Sequence, residues 1–137
     1  LNRLGLSLSY ERLSTELFLP AVNQGILAVE FLSTDQEVSE LAAKLTKTDT
    51  ELCFKAERAI IYQLKADCKS AVGVYAELLD TKLLRVRAQV LTSDGIKDLK
   101  VERTGSTNDW SNLAASVADE LIAMGADKLL EQARKTI

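Results

Sequence analysis

The stretch of this chain best equipped for chemistry is Leu64-Lys65-Ala66-Asp67-Cys68-Lys69-Ser70-Ala71-Val72-Gly73. It lies between a helix-like run (50–64) and a strand-like run (71–79), which puts Cys68 on the connecting turn. A thiol on a short loop can be exposed enough to react, whereas a thiol inside a helix usually fills space. Lys65 and Lys69 favour the thiolate, and Asp67 opposes it. Taken alone, such a cysteine is an ordinary free thiol more often than a reactive centre, so its surroundings decide.

Much chemistry is excluded. The chain has no histidine, which removes Ser-His-Asp and Cys-His catalysis, histidine metal sites and histidine acid–base chemistry within it. Its two cysteines, Cys53 and Cys68, have no second cysteine at metal-ligand spacing, so a reduced, cytoplasmic protein is expected. Neither a P-loop nor a G-x-G-x-x-G is present. With 17 basic against 20 acidic residues, a net charge of −3 gives no reason to expect nucleic acid or an anionic membrane as partner. No apolar run approaches the roughly 20 residues of a spanning helix. No signal peptide is expected at the start, and a first residue of Leu rather than Met suggests residues upstream.

The elements that must position the loop can be read from hydrophobic spacing. Leu1, Leu4 and Leu6 with Gly5 read as a helix end, and Glu16-Leu17-Phe18-Leu19 reads as a short strand stopped by Pro20. Turn chemistry over 20–25 leads into Ile26-Leu27-Ala28-Val29-Glu30-Phe31-Leu32, an apolar run that suits a strand buried on both faces. Thr34-x-x-Glu37 fits a capping box for a helix with Val38, Leu41, Ala42 and Leu45 on one face. Thr46-Lys47 breaks the pattern and marks a domain boundary. Thr48-x-x-Glu51 offers a second capping box, opening a helix that buries Leu52, Ala56, Ala59, Ile60 and Leu64, with Cys53 as packing. Val72, Val74, Ala76 and Leu78 alternate with Gly73, Tyr75 and Glu77, and Leu84, Val86, Ala88 and Val90 alternate with Arg85, Arg87 and Gln89. Ser93-Asp94-Gly95 predicts a hairpin turn into a third strand, Ile96 to Arg103. A last helix carries Trp110, Leu113, Ala114, Val117, Leu121 and Met124 on one face and breaks near Gly125, before Leu129, Leu130 and Ala133. The fold class is therefore α+β, with helix, three antiparallel strands and helix over residues 48–137. The sheet face bearing Arg85, Arg87, Lys100 and Glu102 is expected to stay wet.

Two stretches together resemble the porphobilinogen deaminase (hydroxymethylbilane synthase) family, in its C-terminal portion. Leu19-Pro20-Ala21-Val22-Asn23-Gln24-Gly25 is close to the family's L-P-A-V-G-Q-G and is followed by an apolar strand ending in Glu30. Ala56-Glu57-Arg58-Ala59, leading to Leu64 and Cys68 and then Val72 to Leu78, is similar to A-E-R-A…L-x-G-G-C-x-x-P-I-G…A, and Arg3-Leu4-Gly5 also fits. The resemblance implies a cytoplasmic transferase of tetrapyrrole (heme) biosynthesis that joins four porphobilinogen units into linear hydroxymethylbilane and releases ammonia. It implies a covalent dipyrromethane cofactor on Cys68, where a soft thiolate captures the electrophile left by ammonia loss as a stable thioether. By the same resemblance Gln24 and Gly25 lie near the cofactor. It also implies that residues 1–19 end a second domain, 20–46 return to a first domain as partial α/β segments, and 48–137 form the third, cofactor-anchoring domain. The family's catalytic aspartate and substrate-binding arginines belong to a portion outside this chain, so no catalytic residue and no metal site is assigned. The chain alone is expected to be inactive. The complete enzyme is expected to be a monomer without nucleic-acid or membrane partners, and the fragment is expected to self-associate through Ile26–Leu32.

Some positions depart from the pattern. Asn23 stands where the family has Gly, the least costly substitute if the turn needs positive φ. Ala66-Asp67 replaces Gly-Gly, which stiffens the loop and sets a carboxylate beside the thiol, and Ser70-Ala71 removes a proline brake. An inactive, diverged homologue is one alternative. The other is a double-stranded-RNA-binding module of the same element order, which the carboxylate in Asn108-Asp109-Trp110-Ser111-Asn112 disfavours.

Overall fold

The structure, a computed structural model, describes residues 2–5, 7, 9–67, 69–92 and 94–135. Its helices are α1 (Gln36–Leu45), α2 (Thr48–Leu64), α3 (Trp110–Ala123) and α4 (Ala126–Lys135). Its strands β1 (Val72–Leu78), β2 (Leu83–Leu91) and β3 (Asp98–Ser106) form one antiparallel sheet in the order β1-β2-β3. The α+β arrangement read from the sequence is thus the observed one.

The alternation in β1 and β2 does what period-2 patterning requires. Val74, Ala76, Leu84, Val86, Ala88 and Val90 all leave solvent on the sheet face covered by α2 and α3. The helices supply Ala56, Ile60 and Leu64 from α2 and Ala114, Val117, Ala118 and Leu121 from α3. Each fully buried branched side chain contributes about 1.5–3 kcal/mol by leaving water. Gly125, at φ +97, ends α3 and lets α4 turn back so that Leu129 and Leu130 join the same core. Met124, expected on the buried face, is 46% exposed, because the helix has already ended at Ala123. The third strand starts two residues later than expected and runs on to Ser106. In the hairpin before it, the Asp94 carboxylate accepts from Ile96 N–H and Thr92 Oγ1, and Gly95 adopts φ +72. Ser93 lies outside the described residues.

The opposite sheet face is only in part the wet surface expected of it: Lys100 and Glu102 on β3 are exposed, but the β2 arginines are not. Arg87 is only 5% exposed, and the Arg85 side chain is largely covered. The covering segment is residues 14–21. There is no Glu16–Leu19 strand; Glu16 and Leu17 belong to a turn in which Leu17 and Phe18 N–H donate to the Ser14 carbonyl, and Leu19 follows it in neither helix nor strand. Glu16 reaches Arg85 at 2.6 Å and Arg87 at 3.0 Å, and Arg87 also donates to the Thr15 carbonyl and to Glu77. The guanidinium of Arg87 further stacks over Tyr75 at 5.3 Å. The hydrogen bond from Arg85, before the other charges, holds the Glu16 carboxyl below its ordinary range. Sequence periodicity assigns a face but cannot say which distant segment will cover it.

Residues before α2 depart furthest from expectation. Asn2–Leu4 form one tight helical turn ended by Gly5 at φ +65, as the Leu–Gly spacing predicts, while Leu1 and Leu6 lie outside the described residues. The apolar run 26–32 is in neither helix nor strand, and Leu27 is 96% exposed. A strand needs a ladder partner for its backbone, and none of the described strands pairs with it. Helix α1 forms, but Leu41 and Leu45 face solvent and no α1 residue is buried. Its N-cap is Asp35, accepting from Val38 N–H, rather than Thr34. The capping box expected at Thr48 is replaced by Lys47, which caps α2 without a side-chain hydrogen bond.

The edge of β1 is where the covering segment is fastened. Ala21 bridges Gly73, and Val74 N–H donates to the Pro20 carbonyl at 3.2 Å. A Cβ on Gly73 would meet Leu19 Cβ at 3.0 Å and the Leu19 and Pro20 carbonyl oxygens at 3.1 and 3.2 Å. Gly73→Ala should therefore destabilise by about 1–3 kcal/mol and expose 14–22 to proteolysis. Without that contact, a Gly-to-Ala change in a strand would stabilise slightly. A higher urea midpoint for the variant would contradict this docking.

Candidate functional site

Glu57 is the most buried charged side chain of α2, at 4% exposure, and it sits on the helix face that also carries Ile60 and Leu64. Its two carboxylate oxygens go to different parts of the chain. Oε2 accepts the Asn23 N–H at 2.6 Å, and Oε1 accepts the Ala76 N–H at 2.8 Å. Asn23 belongs to the Ala21–Gly25 turn, and Ala76 to β1, the edge strand of the sheet. One buried carboxylate therefore fixes the turn to the strand that leaves the cysteine loop. Burial pushes the Glu57 carboxyl above its ordinary range, while the Ala76 and Asn23 amides pull it back.

Asn23 takes φ +57 in that turn, the left-handed conformation for which asparagine is the best substitute for glycine. Gly25 comes next but one, at φ +82. Gln24 and Gly25, both singled out from the sequence, lie in the same turn, with Gln24 N–H donating to the Ala21 carbonyl. The turn meets the chemistry-bearing stretch through Ala21 and Gly73.

The loop itself begins where α2 stops. Lys65 turns left-handed at φ +52, and the Lys65 and Ala66 amides close on the Tyr62 and Ile61 carbonyls. Asp67 then organises the loop as far as Ser70. Its carboxylate accepts the Lys69 N–H at 3.0 Å and the Ser70 hydroxyl at 2.9 Å, and its carbonyl accepts the Ser70 N–H. The Ser70 hydroxyl holds the Asp67 carboxyl below its usual range, with the Lys69 amide next in effect. Arg134 of α4 donates to the Lys65 carbonyl and approaches Asp67 at 3.8 Å. Cys68 lies outside the described residues. Open depressions lie beside the loop: one of about 400 Å³ is lined by Arg58, Tyr62 and Lys65 among others, the other of about 350 Å³ by Asp67, Lys69, Ser70 and Arg134 among others.

Cys53 is half-buried in α2, and burial, then the Glu57 charge, raises its thiol, so it behaves as packing. No cluster that could hold a metal occurs among the described residues. Sequence reasoning passed over the roles of Glu57 and Arg134. The signal for Glu57 was present, since Cys53, Glu57, Ile60 and Leu64 lie at helical spacing on one inward face. Arg134 gave none, because its partner is a backbone carbonyl 69 residues away.

Glu57→Gln tests the bridge. An amide can accept from one of the two N–H groups but turns its own NH₂ toward the other, so the variant should lose about 1–3 kcal/mol in urea unfolding. Because the folded carboxyl is raised, the folded chain holds its proton more tightly than the unfolded one. Its contribution is fully present below the unfolded value and declines as pH rises through the folded value. The gap between parent and variant should thus narrow as pH is raised from below the ordinary carboxylate value of 4.5 to well above it. A gap that widens would mean that the folded carboxyl is lowered rather than raised.

Residues 51–123 match the family model described as porphobilinogen deaminase, C-terminal domain. The chain is similar to the porphobilinogen deaminase of Carboxydothermus hydrogenoformans, 34% identical over 125 residues, which covers 91% of this chain and 40% of that protein. It is also similar to the porphobilinogen deaminase of Francisella tularensis subsp. novicida, 41% identical over 116 residues, covering 85% of this chain and 38% of that protein. The chain thus spans about two fifths of the length of these curated relatives. The buried glutamate, the turn it holds and the loop after its helix are parts of a chain that belongs to the porphobilinogen deaminase family.

Proposed function

We propose that residues 48–137 are the cofactor-anchoring domain of an enzyme that polymerises four porphobilinogen units into hydroxymethylbilane with release of ammonia, and that Cys68 is the covalent attachment point of its dipyrromethane. The observation that carries this reading is the Glu57 bridge. It joins the two stretches on which the family resemblance rests, the Leu19–Gly25 turn and the helix–loop–strand around residue 68.

The residues around the loop suit the group. A dipyrromethane with acetate and propionate arms is polyanionic, and the depressions beside the loop offer Arg58 and Lys65 in one and Lys69 in the other, where Arg134 is engaged by the Lys65 carbonyl and Asp67. Asp67, the one carboxylate on the loop, is already engaged by Ser70, Lys69 and Arg134, which limits its repulsion of an anionic neighbour. When bound, the dipyrromethane supplies the free pyrrole end to which further units are added. The chain's own part is to tether and orient: Lys65 and Lys69 favour the thiolate form needed for attachment, and Glu57 holds Gln24 and Gly25 at a fixed place relative to the strand after the loop.

Residues 1–19 are assigned to the end of a second domain and 20–46 to a return into a first domain. The exposure of Leu27, Val29 and Leu32 and of the α1 leucines supports this, since such a surface suits a further part of a longer protein. The polymerase activity is accordingly assigned to a complete, cytoplasmic protein and not to these 137 residues alone. No helix among the described residues is long and apolar enough to cross a membrane. The double-stranded-RNA reading shares the element order, but α3 opens on Asp109 rather than on lysines.

The intact mass of the polypeptide purified from its native cells tests the proposal. A two-pyrrole adduct is expected, mapped to the peptide containing Cys68 and lost in Cys68→Ser. An unmodified Cys68 peptide in freshly purified, folded protein would contradict it.

A further inference from the structure

A segment early in the chain is built onto the domain that forms much later. Residues 14–23 are held to it at three places. Arg87, whose side chain is 6% exposed, donates to the Thr15 carbonyl at 2.9 Å and the Thr15 hydroxyl at 3.1 Å, and pairs with Glu16. On the edge of β1, Val74 N–H donates to the Pro20 carbonyl, and the missing side chain of Gly73 makes room for Leu19. Last, Asn23 N–H ends on the buried Glu57 carboxylate, and Val22 packs against the core. The flanks are different. Residues 9–13 and 27–32 are exposed and in neither helix nor strand, and α1 beyond them buries no residue.

Of the three places, Arg87 specifies what may dock there. Its guanidinium is covered by Tyr75 and paired with Glu77 within the sheet, and the N–H groups that remain must be satisfied from outside it. Thr15 supplies two acceptors and Glu16 a carboxylate, and bonds to a desolvated cation are stronger than those between neutral groups. The surface therefore fits an acidic, hydrogen-bond-accepting segment. We propose that residues 14–23 are a strap of the third domain, docked on the outer face and free edge of β1–β2, and that this early part of the chain leaves the domain before Ser14 and after Gly25. The proposal rests on the reading of the chain as part of a three-domain protein. The strap spans residues 19 and 20, where the resemblance passes from a second domain to a first. The third domain thus grips the connection between the other two. A change in their relative orientation either carries the third domain along or is absorbed outside 14–23.

The experiment uses the complete native polypeptide and residue-resolved amide hydrogen exchange in the parent, R87A, E16Q and E102Q. The reporter is the Val74 amide, whose acceptor belongs to the strap; Val90, deep in β2, is the control. Glu102 shares the sheet face and approaches Arg85, so E102Q removes a charge of that face away from the strap. Exchange at Val74 is expected to accelerate at least ~10-fold in R87A and several-fold in E16Q, with Val90 unchanged in both and Val74 unchanged in E102Q. Should R87A fail to fold, E16Q decides, because the Glu16 side chain is largely exposed. Unchanged Val74 exchange in R87A and E16Q would overturn the strap, as would an E102Q effect equal to that of E16Q. A native chain of only 137 residues would instead overturn the reading of neighbouring domains, and the exchange measurement would still judge the strap.

Discussion

A carboxylate buried on the inner face of a helix must be satisfied by something, and in this chain it is satisfied by two backbone amides that would otherwise go without partners. The N–H groups of Val74 and Ala76 point out from the free edge of β1. The Pro20 carbonyl takes one and Glu57 the other, so the edge offers little to a stray strand. The remaining Glu57 oxygen takes the Asn23 amide, and the turn over 21–25 is held in place. Neutral donors compensate a buried charge only in part, which is why the carboxyl is raised rather than lowered. That residual cost is acceptable because one side chain organises three segments that lie far apart in sequence.

The second constraint is electrostatic and lies on the opposite sheet face. Arg85 and Arg87 point away from the helices, and an arginine pair side by side on a strand would repel in isolation. Glu77 and Glu102 from neighbouring strands and Glu16 from the covering segment neutralise them. The exposed Glu16–Arg85 pair is worth little by itself. Its use is to choose which segment covers the face, after which Arg87 is dry enough for its bonds to Thr15 and Glu77 to matter. The β1–β2 part of the sheet thereby lies between helices on one side and the 14–21 segment on the other, while the outer face of β3 stays exposed.

The parts of this architecture legible in sequence are those governed by local period. The apolar positions of Val72–Leu78 and Leu84–Val90 and the 3.6-residue spacing of Ala56, Ile60 and Leu64 turn inward as read, although Arg87 and Gln89 between the β2 positions are buried as well. The turn over 20–25 was also readable, and Asn23 was the residue marked as tolerating the positive φ it takes there. What periodicity could not supply was partnership. The apolar run 26–32 reads as a strand, yet hydrogen-bonding neighbours decide whether a strand exists, and none of the described strands provides them. The arginines of β2 read as solvated, because their cover comes from a segment far earlier in the chain, Thr15 lying 72 residues before Arg87. The glutamate between Ala56 and Arg58 was visible only as a motif letter until the amides of Asn23 and Ala76 were seen on either side of it.

The central claim is that the Glu57 carboxylate, rather than the hydrophobic contacts around it, holds the 21–25 turn to the β1 edge. Residue-resolved amide exchange at Asn23 and Ala76 in the native polypeptide tests this most directly. Both amides should be protected well beyond freely exposed loop positions, and in a Glu57→Ala variant Asn23 should exchange freely while Val90, deep in β2, stays protected. An Asn23 amide that exchanges freely in the parent, or that keeps its protection without the carboxylate, would contradict the account.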